Sequence, residues 1–156
     1  FGRGEETVLD LDYRKGFEIE AKDLDTSGFK GAWNSMEGQI KDVLKGTLFI
    51  GKHRKPTLTL YKLVVYQQEG HFDWHRDTTH GDNHHGTVLV SLNTSWKGGE
   101  LCLRHRGVEN EFDMQPLKRG ESEKPELQVV AFYTDVEHKV KPVTEGVRIV
   151  LQYDVY

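Results

Sequence analysis

Beyond Gly46 the chain carries no further helical period. Nine β-rich stretches follow instead: 47–51, 57–66, 71–77, 87–92, 100–106, 108–114, 127–134, 138–141 and 147–156. The segments between them carry turn chemistry, as in QQEG, GDNHHG, WKGG, KRGESEKP and VTEG. Many short strands after a single helix suggest a sandwich or a barrel. The helix is expected over 34–46. Asn34 and Glu37 have capping-box spacing, Met36, Ile40, Val43 and Leu44 form an apolar stripe, and Gly46 is a natural stop.

A chain of 156 residues that is 36% hydrophobic can bury one core, so one domain is expected over 1–156. Residues 1–56 are its supporting N-terminal segment and 57–156 its β core. The net charge of −4 supplies no field for nucleic acid or an anionic membrane surface. No apolar run approaches the roughly 18 residues of a membrane helix. Cys102 is the only cysteine, which precludes an intrachain disulfide and suits a reducing compartment such as cytoplasm or nucleus. The chain opens on Phe1 rather than Met and shows no signal peptide; we read it as a trimmed or excised piece.

The segment HFDWHRDTTHGD (71–82) contains His-x-Asp three times. A His and a carboxylate two apart on a strand point the same way, which is half of a metal site. His71, Asp73, His75 and Asp77 share parity, so alternation alone does not choose between the first two pairs. His71 and His75 stand roughly 13 Å apart along a strand, too far to share one ion. His71 follows directly on a turn, and His80 and Asp82 lie in a loop. A site that must hold its ligands tightly therefore selects His75 and Asp77. His138, the only histidine after residue 105, opens a later strand that antiparallel pairing can bring alongside. Two His and one carboxylate on one face make the facial triad of non-haem Fe(II) oxygenases. Arg148 stands ten positions on, inside the apolar run VRIVLQY, where its guanidinium calls for a carboxylate partner.

This ordered set resembles the prolyl 4-hydroxylase-like branch of the Fe(II)/2-oxoglutarate dioxygenases. The matching segments are VVYQQEGHFDWHRDT, GTVLVSLN, GGELCLRHRG and VVAFYTDVEHKVKPVTEGVRIVLQY, in that order. The opening FGRGEETVLDLDYRKG is similar to a fungal-type group within it. The resemblance implies an all-β core with minor α, a double-stranded β-helix or jelly roll. It implies Fe(II) on His75, Asp77 and His138, with 2-oxoglutarate and O2 as co-substrates. Arg148 would bind the 5-carboxylate of 2-oxoglutarate, and Tyr66 would hydrogen-bond the same molecule. Arg148 stands where collagen-type members carry Lys, and both are cations. Trp74 replaces a common Pro and Asp73 a frequent Lys, so these departures bear on substrate rather than metal. Because Asp77 is present where related halogenases lack a carboxylate, hydroxylation is expected.

The expected substrate is a prolyl or other side chain of a peptide or protein. The rivals are the same chemistry on a small molecule, and a metal-bound jelly roll that binds or senses without turnover. Substrate contacts are expected from Trp74, from Arg104 and Arg106 alternating on one strand, and from Arg3 and Tyr13 of the opening motif. His80, His84 and His85 are read as a solvated polar loop, GKHRKP (51–56) as a solvated basic loop, and KRGESEKP (118–125) as a surface loop. Trp96 and Cys102 are read as packing residues.

Overall fold

The computed structural model describes residues 10–50, 55–117 and 126–156, together with the backbone of two short N-terminal strands. Those strands, β1 (Gly2–Arg3) and β2 (Glu6–Thr7), pair with each other. Next come β3 (Arg14–Lys15), β4 (Phe17–Glu20) and the helix α1 (Lys30–Gly46). The remaining strands are β5 (Leu58–Tyr66), β6 (His71–His75), β7 (Gly86–Ser91), β8 (Trp96–Gly98), β9 (Leu101–His105) and β10 (Val108–Phe112). They are followed by β11 (Val129–Tyr133), β12 (Glu137–Val140), β13 (Val143–Gly146) and β14 (Arg148–Val155).

Two five-stranded antiparallel sheets face each other, with strand orders β10-β9-β12-β6-β3 and β11-β7-β14-β5-β4. This is the jelly roll that the strand count and the resemblance led us to expect. One core lies between the sheets, built on Val64, Tyr66, Phe72, Leu101, Val140 and Val150. A second lies between α1 and the outer face of the second sheet, where Ile40 and Leu44 meet Val88, Val90, Leu151 and Tyr153. That sheet is therefore covered on both faces, and β7 is buried at every position. On β14 the parity is strict. Leu151, Tyr153 and Val155 pack beneath the helix, while Val150 joins the inner core and Arg148 and Gln152 line a cavity there.

The helix begins four residues earlier than its periodicity indicates. Phe29 is the residue before it and makes no side-chain cap, so the Asn34–Glu37 box is not used. The cause is tertiary: Trp33 stacks on Tyr153 with ring centroids 4.1 Å apart, and Phe29 stacks on Trp33 at 5.9 Å. Aromatic burial of this kind outweighs local propensity. The strand expected at 47–51 is absent at 47–50, where Thr47 and Phe49 donate to the Leu44 carbonyl and turn the chain under the helix. Gly51 and the rest of 51–54 lie outside the described residues, as does the loop 118–125. Two expected turns, WKGG and VTEG, instead carry the paired strands β8 and β13. β4 went unrecognised because its FEIE pattern is exposed throughout; it is an edge strand held by backbone pairing to β5. No helix among the described residues is long and apolar enough to cross a membrane.

Candidate metal centre and co-substrate cavity

β12 lies antiparallel to β6 with His138 directly opposite His75, so both imidazoles project from one face of the sheet. Their ring centroids are 4.0 Å apart. Asp77 lies two residues past the end of β6, not on the strand itself. Its carboxylate is aimed by two neighbours on the opposite sheet: Oδ2 accepts from Thr87 Oγ1 at 3.0 Å and from Gln152 Nε2 at 3.1 Å. That leaves Oδ1 facing inward, 3.5 Å from His138 Nε2. His75 Nδ1 lies 2.7 Å from the Asp73 carbonyl and His138 Nδ1 lies 3.4 Å from the Val136 carbonyl. A carbonyl can only accept, so each Nδ1 carries a proton and each Nε2 is the nitrogen turned toward the centre of the triad. One ligand atom from each of the three residues lies within 4.8 Å of the others, a spacing suited to a single ion.

The electrostatics agree with that use. Burial, reinforced by the neighbouring His138, lowers the His75 pKa to about 3, so the ring is neutral at ordinary pH. Burial opposes ionisation of Asp77, but its contact with His138 and the neighbouring His75 and Lys62 outweigh it and hold the carboxyl well below its usual range. Two imidazoles and one carboxylate suit a divalent cation.

A narrow cavity runs from this triad into the barrel and reaches Tyr66 and Arg148. Arg148 is 1% exposed. Its Nη2 reaches only the Met114 sulfur at 3.5 Å, its Cζ lies 5.5 Å from the Tyr66 ring centroid, and its Nε has no partner. No carboxylate among the described residues pairs with it. Burial pushes the guanidinium's pKa down from its ordinary value. A buried cation without an acid is costly unless something supplies the negative charge. The backbone has been cleared for it: Gly99 sits at φ +67, and a Cβ there would meet Val143 Cγ2 at 2.9 Å and Arg148 Cδ at 3.1 Å. Tyr66 pairs with Arg148 across β5 and β14, and burial raises its phenol pKa.

On the outer side of the triad lies a larger, open groove, walled by Tyr13, Trp74, Arg76, Asp135 and Glu137 among others. Tyr13 and Trp74 thus stand where substrate contacts were expected. Arg104 does not line this groove: it pairs with Glu137 at 3.0 and 3.4 Å and stacks 4.2 Å from the Trp74 ring centroid, bracing the wall from behind. Arg106 lies in the exposed β9–β10 turn at φ 49 and not on the strand. The side chain of Arg3 lies outside the described residues. Trp96 and Cys102 are buried packing residues.

The solvated loop expected at His80, His84 and His85 is corrected. His84 is buried; its Nδ1 accepts from the His80 amide at 3.0 Å and its Nε2 donates to the Gly86 carbonyl at 3.0 Å. His80 Nδ1 donates to Asp154 Oδ2 at 2.6 Å. These residues form a second cluster of two imidazoles and a carboxylate. Unlike the first, it is closed by direct hydrogen bonds that occupy both His84 nitrogens.

Sequence reasoning missed Thr87 and Gln152, which orient Asp77, and Arg14 and Lys62, which also line the cavity. Gln152 carried a usable signal, since it shares the parity of Arg148 on an otherwise apolar strand. Thr87 and Arg14 carried none.

A family model described as the 2OG-Fe(II) oxygenase superfamily matches residues 61–153, more than half of the chain. The chain belongs to this superfamily. Membership brings Fe(II), 2-oxoglutarate and O2 as the metal and co-substrates, and the donor set and the buried Arg148 are of the kind such an oxygenase needs. Among solved structures, the oxygenase fold is similar to a Pseudomonas putida prolyl-4-hydroxylase, at 18% identity and TM-score 0.58, covering 92% of this chain and 73% of that one. A viral collagen prolyl hydroxylase from Paramecium Bursaria Chlorella virus-1, solved as a 2OG complex, matches at 12% identity and TM-score 0.57, covering 92% and 79%. A 2OG-Fe(II) oxygenase family protein from Burkholderia pseudomallei matches at 17% identity and TM-score 0.53 over 68% of this chain, which spans about half (47%) of its length. No curated protein matches the chain. At these identities the solved structures speak for the fold.

Proposed function

We propose that this domain is an Fe(II)- and 2-oxoglutarate-dependent hydroxylase acting on a prolyl or other side chain of a peptide or protein. The observation that carries the reading is the pairing of two features in one cavity: three convergent ligand atoms at one end and, further in, a buried guanidinium with no acid partner among the described residues. His75, Asp77 and His138 would hold the iron, leaving positions for a chelating co-substrate and O2. Arg148 would take the far carboxylate of 2-oxoglutarate, with Tyr66 beside it. The bound iron supplies the O2 activation that couples 2-oxoglutarate + O2 + R–H to succinate + CO2 + R–OH.

The chain's own residues do the rest. Thr87 and Gln152 fix Asp77 so that one oxygen faces the ion. The carbonyls of Asp73 and Val136 fix the imidazole tautomers. Leu89, Leu101 and Val150 keep the cavity wall apolar, which limits water around the reacting groups. The open groove bordered by Trp74 and Tyr13 is large enough for an extended peptide, and this favours a macromolecular substrate over a small one.

Succinate release from 2-oxoglutarate, with Fe(II) and ascorbate present, tests the chemistry. The wild type should turn over slowly without substrate and His75→Ala should not. Metal binding without any succinate would mark a binding or sensing domain instead. A screen of proteome peptides and metabolites for the gain of one oxygen then separates peptide from small-molecule hydroxylation.

A further inference from the structure

The residues that match the family model begin at 61, yet two strands ahead of them wall the site. β3 pairs with β6, setting Arg14 opposite Phe72, and β4 pairs with β5, setting Glu18 opposite Val64. Gly16 between them packs on the Tyr66 ring, where a Cβ would come within 2.9 Å. The two strands thus close one edge of both sheets around the cavity.

Arg14 is 7% exposed and lines both the co-substrate cavity and a second opening beside it. Its guanidinium lies 4.4 Å from the Phe72 ring centroid, and Phe72 in turn stacks on His75 at 3.4 Å. Arg14, His75 and Tyr66 line one and the same cavity, so Arg14 lies beside both a candidate metal ligand and a candidate co-substrate residue. Arg14 pairs with Glu18 Oε2, and Lys62 Nζ holds the same oxygen at 2.9 Å. Glu18 is the more exposed member, with 38% of its side chain accessible.

The charges balance without Arg14; what is missing is a hydrogen-bonding partner. A dication with Asp77 leaves one positive charge at the triad, and Arg148 can meet one end of a dicarboxylate. The carboxylate at the metal end still needs a hydrogen-bonding partner, and Arg14 presents a fork suited to it. We propose that Arg14 is a second anchor for 2-oxoglutarate, gripping the carboxylate next to the metal. Glu18 acts as its internal stand-in and yields Arg14 when the co-substrate arrives. Lys62 stays paired with Glu18 afterwards. The inference rests on the co-substrate reading above and deepens it.

Calorimetry on the Mn(II)-loaded domain tests this with two probes. Oxalate engages only the metal end, whereas 2-oxoglutarate engages both ends. Arg14→Gln should weaken both ligands at least tenfold, and Arg14→Lys should recover part of the loss. Arg148→Met should weaken 2-oxoglutarate and retain oxalate. Glu18→Gln should tighten both about threefold or more, and it decides the matter if Arg14→Gln does not fold. Oxalate bound by Arg14→Gln within twofold of wild type, or unchanged by Glu18→Gln, overturns the role of Arg14 alone. Failure of the wild type to bind 2-oxoglutarate overturns this inference and the co-substrate reading together.

Discussion

Arg148→Met should move stability and co-substrate affinity in opposite directions. In the free protein the guanidinium is 1% exposed, its Nε is unpartnered, and its best contact is a methionine sulfur. A buried donor left unsatisfied costs about 1–3 kcal/mol, and more when the group is charged. Methionine keeps most of the volume, fits between Tyr66 and Met114, and leaves nothing unsatisfied. The metal-free variant should therefore be more stable by about 1–3 kcal/mol, roughly 2–12 °C in Tm for a chain of this size. Removing one partner of a buried ion pair costs about 2–5 kcal/mol of binding, so 2-oxoglutarate affinity should fall on the order of thirty- to several-thousand-fold. Urea unfolding of the metal-free protein gives the first quantity, and calorimetry of 2-oxoglutarate with the Mn(II)-loaded protein the second. A variant that is less stable than wild type and still binds 2-oxoglutarate normally would show that Arg148 is a structural residue and that the cavity reading is wrong.

Gln152→Leu removes one of the two donors that fix Asp77, and metal affinity should drop about 10- to 100-fold in a metal titration, with the fold retained by circular dichroism. Leu44→Ala hollows the seam between α1 and the sheet, where Leu44 is 1% exposed, and should cost about 2–5 kcal/mol in urea unfolding while leaving the metal titration unchanged. Acid should also destabilise the metal-free protein. His75 titrates near 6.5 when unfolded and at about 3 when folded, so across that window the unfolded chain holds the extra proton and stability falls as pH drops. The slope from this residue is at most about 1.4 kcal/mol per pH unit, and a metal-free His75→Asn variant should show a shallower dependence. Equal slopes for the two proteins would refute the assignment.

The triad was legible because its chemistry sits in side-chain type and spacing: His75, Asp77, His138 and Arg148 could be picked out before any contact was known. Their convergence needed the register that sets His138 opposite His75, and pairing of distant strands leaves no local trace in sequence. The structure brings Asp77 beside the two histidines by a route that strand parity does not describe. Asp77 does not share the strand's face but sits past the strand's end, where Thr87 and Gln152 turn it inward. The helix start was misplaced because the stacking of Trp33 on Tyr153 is a tertiary event. His84 read as a loop residue because GDNHHG is turn chemistry, and nothing in that hexapeptide announces a ring buried against its own backbone.

β14 gives one segment two duties. Alternate residues of a single extended run either support the helix or furnish the cavity, so the two are geared to one pleat. A shift of one position in its pairing would turn Arg148 and Gln152 toward α1 and thrust Leu151 and Tyr153 at the candidate metal ligands. Insertions or deletions within this strand should accordingly abolish folding and chemistry at one stroke, whereas the β3–β4 edge, paired on one side only, is where the domain can be retuned with its scaffold intact.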